Sequence, residues 1–418
     1  MDYIGNQPVI NIGLIGHVSN GKSTIVKGLS GIATQKHSKE REQNVTIRLG
    51  YANAKIFACN NCPKPEKYAS APSETYELFC EHCGEQMQLI THVSFVDCPG
   101  HNVFMATMLN GTAIMDYTIL VESVVNPQLP APQTREHIFA TKNTPISIVC
   151  MNKIDLVNRK VAEKNIDIFE AYLRSIGINN DVIPISGTFK CNFDVLCENI
   201  SGLKVPDRKL DSVIRMIVVR SFNVNLPGTI INDLKGGVIG GSILQGTLKV
   251  GDDLIIYPGY FGKGKTKKWS YSPLAVKVIS IHSDKTNLQS AIPGGLIGVQ
   301  LDIDPAITSN DKLIGQIATI STNNMKVYEY IMILYSPLTE LNRGRIFNIG
   351  EQVTINVNAN NVACLVSGIK GDHIELTLEK PICIDKNDTI VLSVKDRSGS
   401  TIMGTGKFVD GIESELNT

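Results

Sequence analysis

Hydrophobic runs alternate with helix-like stretches over the first 200 residues of the chain. The strand-like runs are 9–15, 92–97, 117–122, 146–151 and 182–186, and the helical patterns lie near 22–30, 101–113, 133–142, 159–175 and 190–200. This alternation is typical of βαβ units, in which helices cover both faces of a mostly parallel sheet. We therefore predict an α/β domain over residues 1–206.

The hydrophobic pattern changes after Pro206. Short β-branched runs broken by Gly and Pro follow at 214–222, 246–250, 253–257, 275–281 and 296–301, and again at 328–335, 351–357, 361–367, 372–378 and 388–394. Such runs without an intervening helix predict two small antiparallel barrels. We place them at 207–327 and 328–418, after a linker around Gly202 to Asp211.

Length and charge restrict the class of protein only loosely. A chain of 418 residues is long enough for two to four domains. Its 40 basic and 40 acidic residues cancel, so no global charge points to a nucleic acid or membrane, although a local patch could hold a polyanion. Neither a leader nor an apolar run approaching about 20 residues stands out, so we expect a soluble, cytoplasmic protein without membrane partners.

The segment between the first strand and the first helix carries a phosphate-binding pattern. Gly16-His17-Val18-Ser19-Asn20-Gly21-Lys22-Ser23 fits the P-loop G-x-x-x-x-G-K-[ST] and is followed by Thr24. In such a loop, successive N–H groups point at phosphate with the helix N-terminus behind them. Lys22 would reach the β- and γ-phosphates and Ser23 would ligate Mg²⁺. The alternative, a Gly-rich turn before a helix, explains none of the motifs that follow.

Two further motifs complete a GTP site. Asp97-Cys98-Pro99-Gly100 ends a strand, where the Asp can hold Mg²⁺ through water and Gly100 can offer its N–H to the γ-phosphate. In Asn152-Lys153-Ile154-Asp155, the Asp can accept both N1–H and N2–H₂ of guanine, which adenine does not offer. Asn152 would brace this loop and Lys153 would cover the base. Ser186-Gly187 suits a backbone contact to the guanine O6. A lone N-K-x-D motif is a surface turn as often as it is a guanine-binding motif. The prediction therefore depends on its position after a P-loop and a D-x-x-G motif.

Two residues join Asp97 and Gly100 as candidates for hydrolysis. The Thr46 hydroxyl would complete the Mg²⁺ shell only when a γ-phosphate is present, although a Thr in this position could also be a plain strand residue. His101 could orient the attacking water, or else act only in helix capping or packing.

The cysteines predict a metal site. Cys59-x-x-Cys62 and Cys80-x-x-Cys83, separated by 17 residues, suit one tetrahedral zinc within an insertion at 57–85. Four ligands leave no open position, so the zinc would be structural; unoccupied cysteines are the alternative. The other six are expected in the core, namely Cys98, Cys150, Cys191, Cys197, Cys364 and Cys383.

Together these residues resemble the translation-factor GTPases related to elongation factor Tu, and among them the gamma subunit of eukaryotic and archaeal translation initiation factor two. The matching stretches are Asn44–Ile56, Val93–Gly111, Pro132–His137, Asn152–Val157, Val219–Val224, Asp233–Pro258 and Pro293–Val299. The chain departs from the family at Asn20, usually His, at Gly187, usually Ala, and at Arg397 to Thr401, usually rich in Arg and Trp. The last departure puts in doubt any tRNA contact carried over to the third domain.

The resemblance implies a GTP-dependent carrier of initiator methionyl-tRNA to the small ribosomal subunit. It further implies a heterotrimer with alpha and beta subunits, slow hydrolysis triggered by a GTPase-activating protein, and GDP release by an exchange factor. The acceptor end would lie between the GTPase domain and the first barrel. The candidate tRNA contacts are Tyr51, Arg220, Lys235, Gly294 and Gly295.

Other functions remain open at this level. An elongation-type carrier of this family lacks the zinc insertion, and a selenocysteine-specific one carries further C-terminal domains. A GTP-bound scaffold without hydrolysis would not need Thr46, Asp97 and His101. A basic cluster beside Trp269 could follow a phosphate backbone, although a solvated loop is the favoured interpretation; its members are Lys263, Lys265, Lys267 and Lys268.

Overall fold

The computed structural model describes most of the chain and divides it into two units. The described residues are 3–34, 46, 49–101, 105–141, 144–263, 268–320, 325–338, 347–396 and 399–416. One unit is drawn from Met1–Asp207 with Asp284–Thr286, and the other from Arg208–Ser283 with Asn287–Thr418. Within the described ranges, none of the helices combines the length and apolar character needed to span a membrane.

The first unit is an α/β domain built on one seven-stranded sheet. Its strands are Ile10–Ile15 (β1), Gly50–Ala58 (β2), Tyr68–Pro72 (β3), Gln88–Asp97 (β4), Tyr117–Ser123 (β5), Ile146–Asn152 (β6) and Val182–Pro184 (β7), and its α-helices are Lys22–Ser30 (α1), Met105–Thr112 (α2), Pro132–Ala140 (α3), Arg159–Ser175 (α4) and Phe193–Ser201 (α5). The sheet order is β3-β2-β4-β1-β5-β6-β7. The predicted mostly parallel sheet is confirmed, since β4, β1, β5, β6 and β7 pair in parallel.

Burial explains the hydrophobic pattern of this sheet. Every residue of β1 is buried, as expected for a parallel strand covered on both faces by helices. The long helix α4 packs Phe169 and Leu173 against this core, and the Asn158 side chain caps its start by accepting from the Val161 amide at 3.0 Å. The antiparallel strands β2 and β3 were not predicted. In β2, small apolar and polar residues alternate from Ala52 to Ile56, but the polar Asn53 and Lys55 are buried as well, so the pattern shows neither a long hydrophobic run nor an exposed polar face.

The second unit contains two closed antiparallel barrels, as predicted. Its elements are Arg215–Phe222 (β8), Val238–Gln245 (β9), Leu248–Lys249 (β10), Asp253–Lys263 (β11), Trp269–Ser283 (β12), Thr286–Leu288 (β13), Ser290–Ala291 (β14), Leu296–Leu301 (β15), Pro305–Thr308 (α6), Ile317–Ile320 (β16), Val327–Pro337 (β17), Gln352–Val357 (β18), Asn360–Lys370 (β19), His373–Cys383 (β20), Thr389–Asp396 (β21), Gly399–Glu413 (β22) and Glu415–Leu416 (β23). The first barrel closes in the order β11-β16-β8-β9-β15-β12, and the second in the order β17-β20-β19-β18-β21-β22.

Two of these strands, β9 and β22, show no continuous hydrophobic run because glycines interrupt them. In β9, a Cβ on Gly241 would lie 2.0 Å from the Ile217 carbonyl oxygen on β8, so the strands can approach only without a side chain. The 15-residue strand β22 likewise contains Gly404, Gly406 and Gly411 within its pairing with β17. Both strands were missed because a run broken by glycine indicates a turn more often than a strand.

One cysteine departs from the expected core position. Cys98, Cys150, Cys197, Cys364 and Cys383 are buried as predicted. Cys191, in contrast, is exposed, so its prediction was wrong. It lies in the turn before α5, where its backbone pairs with Ser186 and its neighbours Lys190 and Asn192 are polar, so this segment stays at the surface.

A buried ion pair connects the two barrels. The Arg215 Nη2 donates to both Asp388 oxygens, at 2.8 and 2.7 Å, and Asn358 donates to the same carboxylate at 2.6 Å. The Arg215 and Asp388 side chains are only 12% and 6% exposed. Removing the cation would therefore leave a buried, uncompensated carboxylate.

We expect Arg215→Met to lower the free energy of unfolding by about 3–5 kcal/mol. Urea denaturation followed through Trp269, the sole tryptophan and a residue of the first barrel, measures this change. Arg159→Met, which breaks the exposed pair with Glu163, is the control and should cost at most about 1 kcal/mol. Equal urea midpoints for Arg215→Met and Arg159→Met would contradict a stabilising role of the buried Arg215–Asp388 pair.

Candidate nucleotide site and cysteine cluster

The loop after β1 has the backbone shape of a phosphate cradle. Positive φ angles occur at Gly16 (135°), Ser19 (60°) and Gly21 (94°), and α1 begins directly afterwards at Lys22. A Cβ on Gly16 would lie 2.1 Å from the Val121 carbonyl oxygen, and one on Gly21 would lie 2.2 Å from the side-chain nitrogen Nδ2 of Asn152. The two glycines are therefore required both by conformation and by space.

Helix α3 braces the first half of this loop. The Gly16 amide donates to His137 Nδ1 at 3.0 Å, the His17 amide to Thr134 Oγ1 at 3.1 Å, and the Val18 amide to Gln133 Oε1 at 3.4 Å. A phosphate would therefore use the later N–H groups, from Ser19 to Thr24. Sequence reasoning missed this brace. Its only signal was the match of Pro132–His137 to the family.

Lys22 lies buried beneath the loop. Its Nζ donates to the Gly16 and His17 carbonyl oxygens, both at 2.8 Å. Burial lowers the pKa of Lys22 to about 8, while Asp97, Cys98 and Glu122 favour its protonated form. The ammonium group is thus positioned for phosphate and is charged at neutral pH.

The affinity for GDP is expected to fall above pH 8. Because Lys22 has a pKa of about 8, raising the pH removes the charge that would face the phosphates. Each further pH unit should weaken binding by up to about tenfold. Titration with GDP at pH 7, 8 and 9 measures the effect. Lys22→Arg, which stays charged, should bind with little change across this range; the same flat profile in the unmodified protein would contradict the prediction.

The predicted magnesium ligands Ser23, Thr46 and Asp97 fit a divalent cation. Ser23 Oγ and Thr46 Oγ1 lie 3.0 Å apart. Two adjacent oxygen ligands of octahedral Mg²⁺ would also be separated by about 3.0 Å. Asp97 is fully buried, and Thr34, which sequence reasoning missed, donates to its Oδ2 at 2.5 Å and orients it.

Gly100 lies against the P-loop. A Cβ there would be 2.6 Å from the Val18 amide nitrogen and 2.7 Å from Lys22 Nζ. Only glycine allows this approach, so the end of the Asp97–Gly100 motif lies beside the amine predicted to reach the γ-phosphate. His101 follows it and is exposed to solvent.

The guanine motif is tied to the P-loop by Asn152. This buried side chain donates to the Asn20 carbonyl oxygen at 2.8 Å and accepts from the Gly187 amide at 2.9 Å. Asn152 thus connects the guanine motif to the P-loop and to the Ser186-Gly187 turn. Asp155 is exposed, and Lys153 precedes it with a φ of 66°. Buried Ser186 accepts from the Phe189 amide at 3.3 Å and shapes the neighbouring turn.

The four predicted zinc ligands converge. The Sγ atoms of Cys59, Cys62, Cys80 and Cys83 all lie within 4.8 Å of one another, and two pairs are 3.4 and 3.6 Å apart. Sulfurs in a tetrahedral site with Zn–S bonds of 2.3 Å would be separated by about 3.8 Å. The Asn61 amide donates to Cys59 Sγ and lowers the pKa of that thiol to about 7, which favours the thiolate form. The donor set fits zinc without an open position.

The candidate tRNA contacts lie in different environments. Arg220 pairs with Asp311 at 3.0 Å, and Lys235 is exposed. Gly294 and Gly295 are buried, and Ser242 donates to the Gly294 carbonyl oxygen at 3.3 Å. Tyr51, on β2 of the first unit, is half-buried. Of this group, Lys235 alone is a solvent-facing cation without an ion pair among the described residues.

The basic cluster near Trp269 is only partly described. Lys263 Nζ lies 4.8 Å from the centre of the Trp269 ring, and Lys268 pairs with Glu415 at 3.5 Å. Lys265 and Lys267 lie outside the described residues. Lys263 and Lys268 thus contact neighbouring side chains of the protein, and these contacts do not indicate a ligand.

Comparisons with known families match both ends of the chain. Residues 7–206 match the family described as the elongation factor Tu GTP binding domain, and residues 337–407 match initiation factor eIF2 gamma, C terminal. Eukaryotic translation initiation factor 2 subunit 3 of Drosophila melanogaster is 38% identical, over 98% of this chain and 90% of the relative. Eukaryotic translation initiation factor 2 subunit gamma of Encephalitozoon cuniculi is 39% identical, over 100% of this chain and 97% of the relative. The protein of the same name in Schizosaccharomyces pombe is 38% identical, over 98% of this chain and 95% of the relative.

Solved structures share the fold at low identity. A bacterial selenocysteine-specific elongation factor superposes with a TM-score of 0.70 and 18% identity, over 96% of this chain and 58% of that one. Translation elongation factor SelB from Methanococcus maripaludis, in complex with a GTP analogue, has a TM-score of 0.70 and 20% identity, over 97% of this chain and 80% of that one. Likeness at this level of identity concerns architecture alone.

Proposed function

We propose, from the premise that the chain belongs to the family of the gamma subunit of eukaryotic translation initiation factor 2, that it carries initiator methionyl-tRNA to the small ribosomal subunit in its GTP state. The proposal rests on sequence identity to proteins of this family, which is 38–39% over 98–100% of the chain. The likeness includes the C-terminal barrel, where residues 337–407 match the model specific to eIF2 gamma.

The chain is a translation-initiation GTPase, and we assign the hydrolytic and nucleotide-binding roles within it as follows. Lys22 would hold the β- and γ-phosphates together with the amides of Ser19 to Thr24, and Asp155 would select guanine. Ser23, Thr46 and Asp97 would hold Mg²⁺, which neutralises charge on the phosphates when bound. Gly100 would sense the γ-phosphate, and His101 would orient the attacking water. The further contacts to guanine are assigned to Asn152, Lys153, Ser186 and Gly187.

Hydrolysis serves as the release switch in this proposal. Thr46 reaches the Ser23 hydroxyl at 3.0 Å, so a cation held by both would couple the Thr46 segment to the phosphate site. Loss of the γ-phosphate would release Thr46 and Gly100 together and so lower the affinity for tRNA. Cys59, Cys62, Cys80 and Cys83 hold the predicted structural zinc and take no part in this step.

The domain and partner assignments are part of the same proposal. We propose a GTP-binding domain over 1–206, with its zinc knuckle at 57–85, a first barrel over 207–327 and a second over 328–418. The partners would be alpha and beta subunits, a GTPase-activating protein and an exchange factor, in the cytoplasm. Tyr51, Arg220, Lys235 and the Gly294-Gly295 turn are the proposed tRNA contacts. The selenocysteine-specific alternative has support from the fold alone.

A panel of tRNAs tests the choice between initiation and elongation. The protein, loaded with a non-hydrolysable GTP analogue and supplied with alpha and beta subunits, is titrated with methionylated initiator tRNA, the same tRNA uncharged, and an elongator aminoacyl-tRNA. We expect tight binding of the methionylated initiator only. Equal affinity for the elongator tRNA would favour an elongation-type factor, and the absence of all binding would favour a GTPase scaffold.

A further inference from the structure

A buried carboxylate lies directly behind the phosphate-binding loop. Glu122, near the end of β5, is fully buried, and its oxygens accept four N–H groups. Two come from the backbone, the Ser123 amide at 2.9 Å and the Ala131 amide at 3.1 Å. The other two come from the side-chain amides of Asn20, at 3.0 Å, and Asn126. No motif of the sequence had marked Glu122.

The bonds of Glu122 connect it to both halves of the cradle. Asn20, also fully buried, belongs to the P-loop and donates in addition to the Val121 carbonyl oxygen at 2.8 Å. Asn126 joins the two side chains, since it also donates to Asn20 Oδ1 at 3.0 Å. Ala131 immediately precedes α3, the helix that supplies Gln133, Thr134 and His137 to the loop amides. The Glu122 carboxylate thus binds the P-loop directly through Asn20 and also fixes the start of α3, the helix that braces the P-loop.

The chemistry of this cluster requires a carboxylate. Burying an anion is costly unless its lone pairs are satisfied, and two oxygens that accept four donors satisfy them. A glutamine of the same shape would turn one oxygen into a donor and bring it against an N–H group. Such a residue is expensive to bury for packing alone, and three of its four donors, from Asn20, Asn126 and Ala131, belong to or contact the P-loop and its bracing helix.

We propose that Glu122 is a positioning residue for nucleotide binding, which fixes the P-loop through Asn20 and Asn126 and the start of α3 through the Ala131 amide. The inference rests on the proposed GTP site. It adds a residue that contacts no nucleotide and acts through residues that do.

The test is the affinity for GDP at pH 7 in the unmodified protein, Glu122→Gln, Asn20→Ala, the double variant and Asn126→Ala. We expect Glu122→Gln to bind GDP about tenfold more weakly. The double variant should bind much less than a hundredfold more weakly, because Glu122 and Asn20 act through the same hydrogen bond, whereas a general loss of stability would give independent effects that multiply. Asn126→Ala, at a half-buried position, removes a donor to both side chains and should bind GDP several-fold more weakly.

Glu163→Gln, on the exposed face of α4, is the matched control and should leave the affinity for GDP unchanged. GDP affinity of Glu122→Gln within twofold of the unmodified protein, or independent effects of Asn20→Ala and Glu122→Gln that multiply, would overturn the inference. Failure of the unmodified protein to bind GDP would instead count against the proposed function.

Discussion

Replacing Asp155 by Asn is expected to weaken GTP binding by about a thousandfold and to create affinity for XTP. The carboxylate would accept two N–H donors of guanine, each a hydrogen bond to a charged group. Asparagine keeps one acceptor and presents an amide donor to the exocyclic amino group. Loss of one charged hydrogen bond, loss of the charge on the other and the contact between two donors together correspond to a factor on the order of 10³. Xanthine has a carbonyl oxygen where guanine has the amino group, so the new donor would find a partner.

Competition titrations with GTP and XTP measure this change of specificity. Asp181→Asn, at an exposed position just before β7, is the control and should bind both nucleotides as the unmodified protein does. The structure supports a local effect because Asp155 is exposed, whereas the neighbouring Asn152 ties the loop to Asn20 and Gly187. GTP affinity of Asp155→Asn within twofold of the unmodified protein would refute the guanine assignment.

Removing the zinc is expected to unfold the knuckle together with the edge strand β3 and to leave the other six strands of the sheet folded. The knuckle has a small apolar core of its own, comprising Phe57, Cys59, Ala71, Cys80 and Met87, and two of these residues are metal ligands. Structural zinc supplies about 10–16 kcal/mol of apparent binding energy to small zinc-dependent folds. We therefore expect Cys62→Ser or chelation to accelerate hydrogen exchange across 59–87 by a factor on the order of 10³ or more.

Zinc content and hydrogen exchange together test this expectation. The unmodified protein should contain one zinc per chain, and Cys62→Ser should contain none. Cys191→Ser is the matched control, since Cys191 is exposed and lies outside the cluster. Exchange in β1, at the centre of the sheet, should not change in any variant. Retention of the slow exchange of 59–87 after complete loss of zinc would show that the knuckle folds without metal.

The parts of the site that were predictable are those in which one short segment carries its own chemistry. The P-loop requires Gly16 and Gly21 for backbone shape and Lys22 for charge, so eight consecutive residues reveal it. The spacing of Cys59, Cys62, Cys80 and Cys83 likewise encodes a tetrahedral site. The alternation of strands and helices identified the α/β class for the same reason, because periodicity is a local property.

The parts that were missed depend on contacts between distant segments. His137 accepts from Gly16 across 121 residues, and Glu122 accepts from Asn20 across 102. Nothing within either segment indicates the partner. Gly241 interrupts an apolar run for a reason that exists only on β8, namely the Ile217 carbonyl oxygen. Lys55, a charged residue buried in β2, shows how a tertiary environment can override the preference of a single residue.

The most direct test of the account is the affinity for methionylated initiator tRNA in two nucleotide states. The protein, with its proposed alpha and beta partners, is loaded either with a non-hydrolysable GTP analogue or with GDP, and the two dissociation constants are compared. A switch that uses Thr46 and Gly100 to sense the γ-phosphate predicts binding at least about tenfold tighter in the GTP state. Equal affinity in the two states would contradict a GTP-controlled carrier.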